Sequence, residues 1–551
     1  MRRGDASAVA ILSASWTALF LYIDPRGDFP LNDDFQYAEA VRRWAHGSGL
    51  TPSQWGFASS VTHLALGRLA ACFVPPDNWH LRLLMLGVGL ATALIFYFFL
   101  RDLKVDPVPA TVGAAVLAFN PVYLTMSASF HVDVTATALQ ILAAWAFWSA
   151  LREGSARRLA LCSALLGLGY LTRQTAAVSV VGAAYLLWRR RMLSPRTALA
   201  LLAPLGTAVC GFWLWLHSLP ALPWAWQTQL SPSGFSALAS PSEWLRVAQN
   251  LNAAAQTAAL FLCPLAFGLA RRGRWTKSGR AAAVAAAGVC ALAIACWLNG
   301  GRMPLLGNTL SSRGLGVITL TAPESKAAGL WSSGALWRLI DAFCVLCSAQ
   351  LALLLLGKEG DRERSDAAAA LLWFGLPPYL TTLALIDILN RSLNYDRYLL
   401  GALPFLIAAL LLRAERRPRA WASAAGCLLL AAVSAAGLRD YFSWNRARWE
   451  AGRYGVSLGL RPEQIENGFD WDGQYTMEPN MARLLALKPA REIGLWDWME
   501  GNKVLMITSF SDKPPMESFK PIARFPYRSP LARPEGFVYL YGLKPAFTPR
   551  K

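Results

Sequence analysis

Residues 81–100 read LRLLMLGVGLATALIFYFFL, a run long and apolar enough to cross the hydrocarbon core of a membrane as one helix. Twelve further apolar stretches occur along the chain, one before this run and eleven after it. They lie near residues 8–23, 108–126, 132–151, 159–172, 174–188, 197–217, 251–270, 281–298, 333–356, 368–388, 397–413 and 420–437. The sequence therefore predicts an all-α polytopic membrane protein with about thirteen transmembrane helices. The stretches 159–172 and 174–188 are short, and an alternative is that they form a hairpin that only partly enters the bilayer.

The composition agrees with a membrane protein. Of the 551 residues, 55% are hydrophobic and 16% are charged, whereas a soluble protein carries about 25% charged residues. A net charge of +19 would suggest a nucleic-acid partner for a soluble chain. Here Lys and Arg collect in the loops that are predicted to stay in the cytoplasm, so we expect no nucleic acid as a partner. The spacing of the nine cysteines indicates no disulfide framework.

The basic residues also predict the orientation. With the N-terminus in the cytoplasm, six loops that begin with a basic residue face the cytoplasm. They start at Arg101, Arg152, Arg189, Arg271, Lys358 and Arg413. The long loops 24–80, 218–250 and 299–332 then lie on the opposite side, and the second of them contains a single basic residue, Arg246. An odd number of crossings places residues 438–551 outside the cytoplasm.

The last part of the chain differs in composition from the rest and contains no long apolar run. A helical pattern near 439–458 is followed by short strand-like runs such as 504–507 and 537–540. We expect two domains, a transmembrane domain of residues 1–437 and a small extracytoplasmic α+β domain of residues 438–551.

Near the start of the first long outer loop the sequence reads Asn32-Asp33-Asp34-Phe35, just before a helical pattern. One interpretation is helix capping, in which an Asn or Asp side chain accepts free backbone N–H groups. One cap needs one side chain, and three such residues in a row exceed that need. The other interpretation is that Asp33 or Asp34 is a general base that takes a proton from an acceptor hydroxyl. The second carboxylate would then raise the pKa of the first or hold the acceptor.

His131 and Asp133 precede the fourth apolar stretch, on the same predicted side as Asp33. They could form a second acidic site, or an Asp could simply cap a helix beside an interfacial His. Two ligands are too few for a metal ion, and the spacing indicates no others.

Several arginines lie at or near span ends on the predicted outer side. They are Arg173, Arg302, Arg313, Arg391 and Arg397. The planar guanidinium holds a phosphate group through paired hydrogen bonds, so these positions suit a lipid phosphate. The alternative for each of them is a side chain that extends to the membrane interface.

Two absences from the sequence narrow the function. No GxxxxGK[ST] phosphate loop occurs, which argues against ATP-driven transport. Few charges lie near the middle of the spans, which disfavours an ion-coupled transporter.

These features together resemble the C-type membrane glycosyltransferases. Within that group they resemble the bacterial relatives of protein mannosyltransferases and aminoarabinose transferases, including galacturonic-acid transferases of lipopolysaccharide. The resemblance rests on the order and the predicted side of short motifs. These are Asp33-Asp34, Phe130–Val134, Gly167–Arg173, Pro304–Asn308, Tyr395–Leu400 and Glu466–Trp471.

The resemblance implies a sugar donor carried on a polyprenyl phosphate and used on the extracytoplasmic face of a bacterial inner membrane. The acceptor would be a lipid, a glycan or a protein, and the anomeric centre would invert. An aspartate would deprotonate the acceptor, and Asp33 is preferred because the first acidic residue usually has this role. The implied site comprises Asp33, Asp34 and Asp133 for catalysis, Arg173, Arg397, Arg302 and Arg313 for the donor phosphate, and His131 and Tyr395 beside them. Some relatives need a divalent metal ion and others do not, and no ligand set in the sequence decides between these cases.

Two other functions fit the same pattern. An O-antigen ligase or polymerase also has many spans and large outer loops, but its chemistry depends on outer Arg and His residues. A flippase or transporter for a lipid-linked sugar would have no transferase activity. A cleft on the outer face that joins Asp33, Asp34 and Asp133 would favour the transferase, whereas a charged cavity at mid-membrane would favour the transporter.

Overall fold

The computed structural model describes residues 3–228, 240–269, 277–298, 306–326, 333–356, 362–390, 395–414, 419–500, 503–530 and 535–544. Most of these residues are helical. The α-helices are α1 (Arg3–Ile23), α2 (Asp34–Ala45), α3 (Val61–Ala70), α4 (Asn78–Asp102), α5 (Pro107–Ala118), α6 (Pro121–Ser127), α7 (Val132–Glu153), α8 (Ala156–Tyr170), α9 (Ser179–Arg189), α10 (Pro195–Ser218), α11 (Trp224–Thr228), α12 (Pro241–Phe261), α13 (Cys263–Gly268), α14 (Lys277–Leu298), α15 (Gly334–Leu356), α16 (Arg362–Asn390), α17 (Leu403–Arg413), α18 (Ala420–Ser457), α19 (Phe469–Asp472) and α20 (Glu478–Leu487). The expected helical membrane part is confirmed.

Helical segments occur at all thirteen predicted span positions. Within the described ranges, six helices are long and apolar enough to cross a membrane, namely α1, α4, α7, α10, α15 and α18, or seven if the bent pair α5 and α6 is one span. The helices α8 and α9 have only 15 and 11 residues. At 1.5 Å per residue they are about 22 Å and about 17 Å long, less than the ~30 Å of hydrocarbon. The count of thirteen crossings stays a prediction.

The predicted span 108–126 is broken into α5 and α6, which meet at an angle of 66°. Asn120 begins α6, because its side chain accepts the backbone N–H groups of Val122 and Tyr123 at 2.9 and 3.1 Å. Pro121 occupies the first turn of the new helix and cannot continue the old one. The short α6 then leads through residues 128–131 into α7, and this connection carries His131 to the centre of the molecule.

The helix α7 is the most buried of the candidate spans, with 72% of its most apolar window inside the protein. It packs against α4 and α8. Its first turn contains Val132 and Asp133, which are both buried. Val132 and Asp133 are therefore buried between helices, although they lie at the end of one.

The last predicted span, 420–437, and the predicted tail helix, 439–458, form one continuous helix. This helix, α18, runs for 38 residues through the expected domain boundary. The expected two-domain division stays a prediction, but no break in the backbone marks it within α18.

A small sheet packs on the second half of α18, as expected for the C-terminal part of the chain. Its strands are β3 (Ile465–Glu466), β4 (Met506–Ser509), β5 (Phe519–Tyr527) and β6 (Gly536–Leu543), in the order β3-β4-β6-β5. The strand β3 is parallel to β4, and the other pairs are antiparallel. A separate short hairpin is made by β1 (Leu310–Ser311) and β2 (Gly314–Leu315).

A buried ion pair holds this sheet region to α18. The Nη2 atom of Arg448 donates to Oδ2 of Asp470 at 2.5 Å, and neither side chain is exposed to solvent. The neighbouring Gly468 has a φ of +90°, and a Cβ atom there would lie 2.7 Å from Nη1 of Arg448. Only glycine fits this approach without strain. The motif Glu466–Trp471 therefore contributes to the attachment of the tail.

Candidate active site

Five residues singled out from the sequence come together in one cluster. Asp33 directly precedes α2, His131 and Asp133 lie at the start of α7, Arg173 follows α8, and Arg397 lies in a 3₁₀ helix at Asp396–Gly401. Four separate segments of the chain thus contribute to one site. We call these five residues the acid–arginine cluster.

Arg397 is at the centre of this cluster. Its Nη2 atom donates to Oδ2 of Asp33 at 2.9 Å, and its Nη1 atom is 2.9 Å from Nε2 of His131. Asp133 pairs with Arg173 through Oδ1 and Nη1. The two aspartates therefore each have one arginine partner, and His131 lies between the two pairs.

The contacts of His131 identify its protonation state. Because Arg397 can only donate, Nε2 of His131 must accept and the ring proton is on Nδ1. That nitrogen lies 2.5 Å from Oδ2 of Asp133, although the angles do not fit a hydrogen bond. Burial and the nearby Arg397 charge lower the pKa of His131 to about 4. The imidazole is therefore neutral at physiological pH, and it orients the guanidinium of Arg397.

Asp33 is ionised in this arrangement. Its side chain is 18% exposed, and burial alone would raise the pKa of the carboxyl. The charge of Arg397 outweighs burial and lowers the pKa well below the ordinary value. Among the described residues the Asp33 side chain makes no capping hydrogen bond to α2, so capping does not account for this residue.

Asp34 has a different environment from its neighbour. Its Oδ1 atom accepts the backbone N–H groups of Leu31 and Asn32 at 2.8 and 2.9 Å, and the residue is buried. Burial raises the pKa of this carboxyl, although the two amides act in the opposite direction. Asp34 thus fixes the loop that presents Asp33, and within the described ranges its carboxylate makes no hydrogen bond or ion pair with the acid–arginine cluster.

A narrow cleft opens beside the cluster. Asp133, Arg173, Arg397, Tyr379 and Tyr398 contribute to its walls, and its volume of about 40 Å³ has room for a few water molecules. The Tyr398 ring lies 4.4 Å from the guanidinium carbon of Arg173 and 5.9 Å from that of Arg397. These aromatic contacts hold both guanidinium groups at the cleft.

One donor in the cleft is unused. The Nε atom of Arg397 is buried and has no hydrogen-bond partner among the described residues. A buried N–H group without a partner costs free energy, so its presence is a reason to look for a ligand.

The position of Arg397 depends on the residue before it. Asp396 is fully buried, and its carboxylate accepts the backbone N–H groups of Thr309 and Leu310 at 2.6–3.2 Å. Its own N–H donates to the carbonyl of Gly307 at 3.1 Å. Gly307 of the motif 304–308 therefore contacts the motif 395–400, and Asp396 also connects that motif to Thr309 and Leu310.

The other predicted site residues differ in their relation to this cluster. Arg313 is in the exposed turn between β1 and β2. Tyr395 lies against Arg397, with its ring 4.9 Å from the guanidinium carbon. Arg302 and Arg391 lie outside the described residues. Tyr398 and Tyr379 were not predicted from the sequence as cleft residues. Tyr398 lies within the motif Tyr395–Leu400, which is the one signal that pointed to it.

The residues of the cluster do not fit a metal ion. Each aspartate is already neutralised by an arginine, and an added cation would meet two guanidinium charges. Within the described ranges there is no group of three or more His, Cys, Asp and Glu side chains that could hold a metal ion. The chemistry available here is a carboxylate beside two arginines.

Comparison with known proteins links part of the chain to glycosyltransferases. The family described as dolichyl-phosphate-mannose-protein mannosyltransferase matches residues 63–215. This segment contains His131, Asp133 and Arg173. No curated protein sequence matches the chain at a significant level.

Three solved structures are distantly similar. ArnT from Cupriavidus metallidurans bound to undecaprenyl phosphate is 14% identical over 99% of both chains, with a TM-score of 0.40. The Saccharomyces cerevisiae protein O-mannosyltransferase Pmt1-Pmt2 complex, bound to its sugar donor, is 17% identical over 39% of this chain and 34% of that one, with a TM-score of 0.32. Arabinosyltransferase EmbB from Mycobacterium smegmatis is 11% identical over 79% of this chain and 41% of that one, with a TM-score of 0.34.

At these scores no residue role is transferred from the three structures. The family match over 63–215 covers two of the four segments that build the acid–arginine cluster. It confirms the expected resemblance of this chain to the C-type membrane glycosyltransferases.

Proposed function

We propose that this chain transfers a sugar from a polyprenyl-phosphate carrier to an acceptor hydroxyl, with inversion at the anomeric carbon. The observation that carries the proposal is that Asp33 pairs with Arg397 and Asp133 pairs with Arg173, with both arginines in the wall of one cleft. Transfer from a phosphate leaving group needs a base for the acceptor and cations for the departing phosphate. The acid–arginine cluster provides both.

Arg397 and Arg173 are the proposed phosphate ligands. Both line the cleft, and the Nε of Arg397 is a buried donor for which the described part of the chain provides no partner. Because the cleft is narrow and its cations are paired, an incoming phosphate must replace carboxylates as the partner of the guanidinium groups. Phosphate and carboxylate oxygens accept hydrogen bonds from arginine in the same paired geometry. The guanidinium groups can therefore exchange one anion for the other with little rearrangement of charge.

The exchange would also activate Asp33. In the ion pair its pKa is low, which makes the carboxylate a weak base. When Arg397 turns to the donor phosphate, Asp33 loses much of the opposing charge while its burial remains. The pKa of Asp33 then rises, and its basicity increases when the donor is bound.

The reaction then balances without a further reactant. Asp33 takes the proton of the acceptor hydroxyl, and the oxygen forms a bond to the anomeric carbon. The bond between that carbon and the phosphate oxygen breaks, and the phosphate leaves with the electron pair. Its new charge is held by Arg397 and Arg173.

The location of the cluster supports a transferase more than a transporter. Asp133 lies in the first turn of α7 rather than at its middle, and Asp33 lies in the loop before α2. Both belong to segments that the basic-residue pattern assigns to the outside of a bacterial inner membrane. We propose that the reaction takes place on this extracytoplasmic face, with the tail on the same side.

The test is glycan and lipid mass spectrometry of a deletion strain beside the wild type. Loss of one sugar from a lipid, glycan or protein, restored by the wild-type gene and not by Asp33→Asn, is the expected result. Asp497→Asn, a change in an ion pair with Lys488 outside the cleft, serves as the control and should restore the sugar. An unchanged envelope in the deletion strain would reject the proposal.

A further inference from the structure

A second cavity of about 420 Å³ lies at the opposite end of α2 from Asp33. It is bounded by the loop after α1, the C-terminal end of α2, the start of α4 and the second half of α18. The helix α2 has 12 residues and is about 18 Å long. The cavity is therefore separate from the acid–arginine cluster, and its volume is in the range of about 300–1,000 Å³ that is typical of ligand sites.

The cavity lies beside the ends of two candidate spans. The loop after α1 is held to α4 because the carboxylate of Asp28 accepts the backbone and side-chain N–H groups of Asn78 at 2.9 and 3.0 Å. Arg453 of α18 donates to the carbonyl of Asp28 at 3.0 Å. The wall of the cavity is thus fixed by hydrogen bonds at the level where α1 ends and α4 begins.

The chemistry of the walls combines aromatic faces with groups of both charges. Arg42 and Arg453 are cationic, and Asp28 is anionic. The ring of Tyr475, which lines the cavity, packs against that of Trp471 with 4.8 Å between the ring centroids and 59° between the ring planes. Mixed hydrogen-bond donors and acceptors beside an aromatic face suit a ligand whose hydroxyls both donate and accept, and whose C–H groups lie on one side.

The backbone of one wall is unusual. Gly473–Met477 form a π-helical turn. This conformation is rare in proteins, and where it occurs it often lies at a functional site. The turn presents Gln474 and Tyr475 to the cavity. The Oε1 atom of Gln474 is buried and finds no hydrogen-bond partner in the part of the chain that the structure describes. This acceptor is available for a hydroxyl donor.

We propose that this cavity binds a saccharide unit, with Gln474 accepting from a sugar hydroxyl and Tyr475 stacking on the sugar ring. Arg42, Arg453 and Asp28 form its polar rim. This binding does not require the transferase reaction proposed above, because the cavity and the cleft share none of their lining residues.

The test measures binding to the full chain purified in detergent, by saturation-transfer difference NMR. The probes are glucose, mannose, galactose, galacturonate and a maltotriose, with a polyethylene glycol as a polyol without a ring. Two variants remove the contacts, Gln474→Leu and Tyr475→Ala. Arg483→Ala, on the exposed face of α20, is the matched surface control.

At least one saccharide should bind the wild type and the control equally. Each cavity variant should raise its dissociation constant about tenfold, the usual size of one lost hydrogen bond or ring contact. Gln474→Leu should not lower the melting temperature, because an apolar group of similar size replaces a buried acceptor that has no partner among the residues described. A saccharide signal that both variants retain, or no signal from any of the saccharides, would overturn the proposal.

Discussion

Arg397 and Asp33 are 364 positions apart in the sequence, and Nη2 of the first donates to Oδ2 of the second at 2.9 Å. The same guanidinium contacts Nε2 of His131. The proposed phosphate ligand and the proposed base are thus each other's partner. In the proposed reaction this ion pair couples the arrival of the donor to the release of the base.

Asp33→Asn should lower the turnover of sugar transfer by about 10²–10⁴-fold, because the amide cannot take a proton. The variant keeps the size of the side chain, so membrane insertion and the melting temperature should change little. The measurement is transfer of a radiolabelled sugar from a polyprenyl-phosphate donor in proteoliposomes. Wild-type turnover in this variant would exclude Asp33 as the base.

Asp34 should respond differently from its neighbour. Asp34→Ala removes the acceptor for two buried backbone amides and should lower the free energy of unfolding by about 1–3 kcal/mol. Asp34→Asn keeps one acceptor oxygen, so its stability and turnover should remain close to wild type. Thermal unfolding and the same transfer assay compare the two variants. A loss of turnover in a stable Asp34→Asn protein would return Asp34 to the list of catalytic residues.

Arg397→Lys and Arg173→Lys should weaken donor binding, since lysine keeps the charge but not the planar fork. A lost charge-assisted contact of about 1.5–3 kcal/mol corresponds to a donor KM about 10–150-fold higher. Arg313→Lys, in an exposed turn outside the cluster, is the matched control and should be neutral. Unchanged donor KM and kcat in a cluster variant would remove that arginine from the phosphate site.

Asp396 should make stability depend on pH. Burial raises the pKa of its carboxyl to about 7. The folded state then keeps a proton that the unfolded state loses near pH 4, so the stabilisation is complete below about pH 4 and is lost as the pH rises to about 7. Asp396→Asn cannot titrate, and the stability difference between the two proteins should change by up to about 4 kcal/mol over this range. Melting curves in detergent from pH 4 to pH 8 measure it, and parallel curves for the two proteins would contradict the assignment.

The tail should lie outside the cytoplasm, because an odd number of crossings follows a cytoplasmic N-terminus. A reporter enzyme that is active only outside the cytoplasm should be active when it is fused after Lys551. The same reporter fused after Arg189, in a predicted cytoplasmic loop, should be inactive. The reverse pair of results would overturn the orientation.

The sequence predicted the members of the site better than their arrangement. Asp33, His131, Asp133, Arg173 and Arg397 were all chosen from motifs, since charged groups near apolar spans are rare and conspicuous. Their pairing could not be predicted, because it depends on how four distant segments pack. The sequence also could not separate Asp33 from Asp34. The two residues are adjacent at the start of α2, and only the packing of distant segments decides which one pairs with Arg397.

The helical segments were predicted well in position, because apolar runs are the strongest signal in a sequence. Their continuity was harder to predict. The bend at Asn120 depends on a capping side chain and Pro121, signals that a hydropathy pattern does not register. The opposite error occurs in α18, where the fall in hydropathy after residue 437 suggested an end that the backbone does not have.

This unbroken α18 has a mechanical consequence. Its 38 residues form a rod of about 57 Å. A tilt of the last span therefore moves the attached sheet, and a force on the sheet is transmitted to the span. Such a rod cannot serve as a flexible tether between two independent modules. A fragment that starts at residue 438 would also lose the contacts of the buried Tyr441 with Leu31 and of the buried Trp449 with Phe29. We therefore expect the tail to be insoluble when it is produced without the helix bundle.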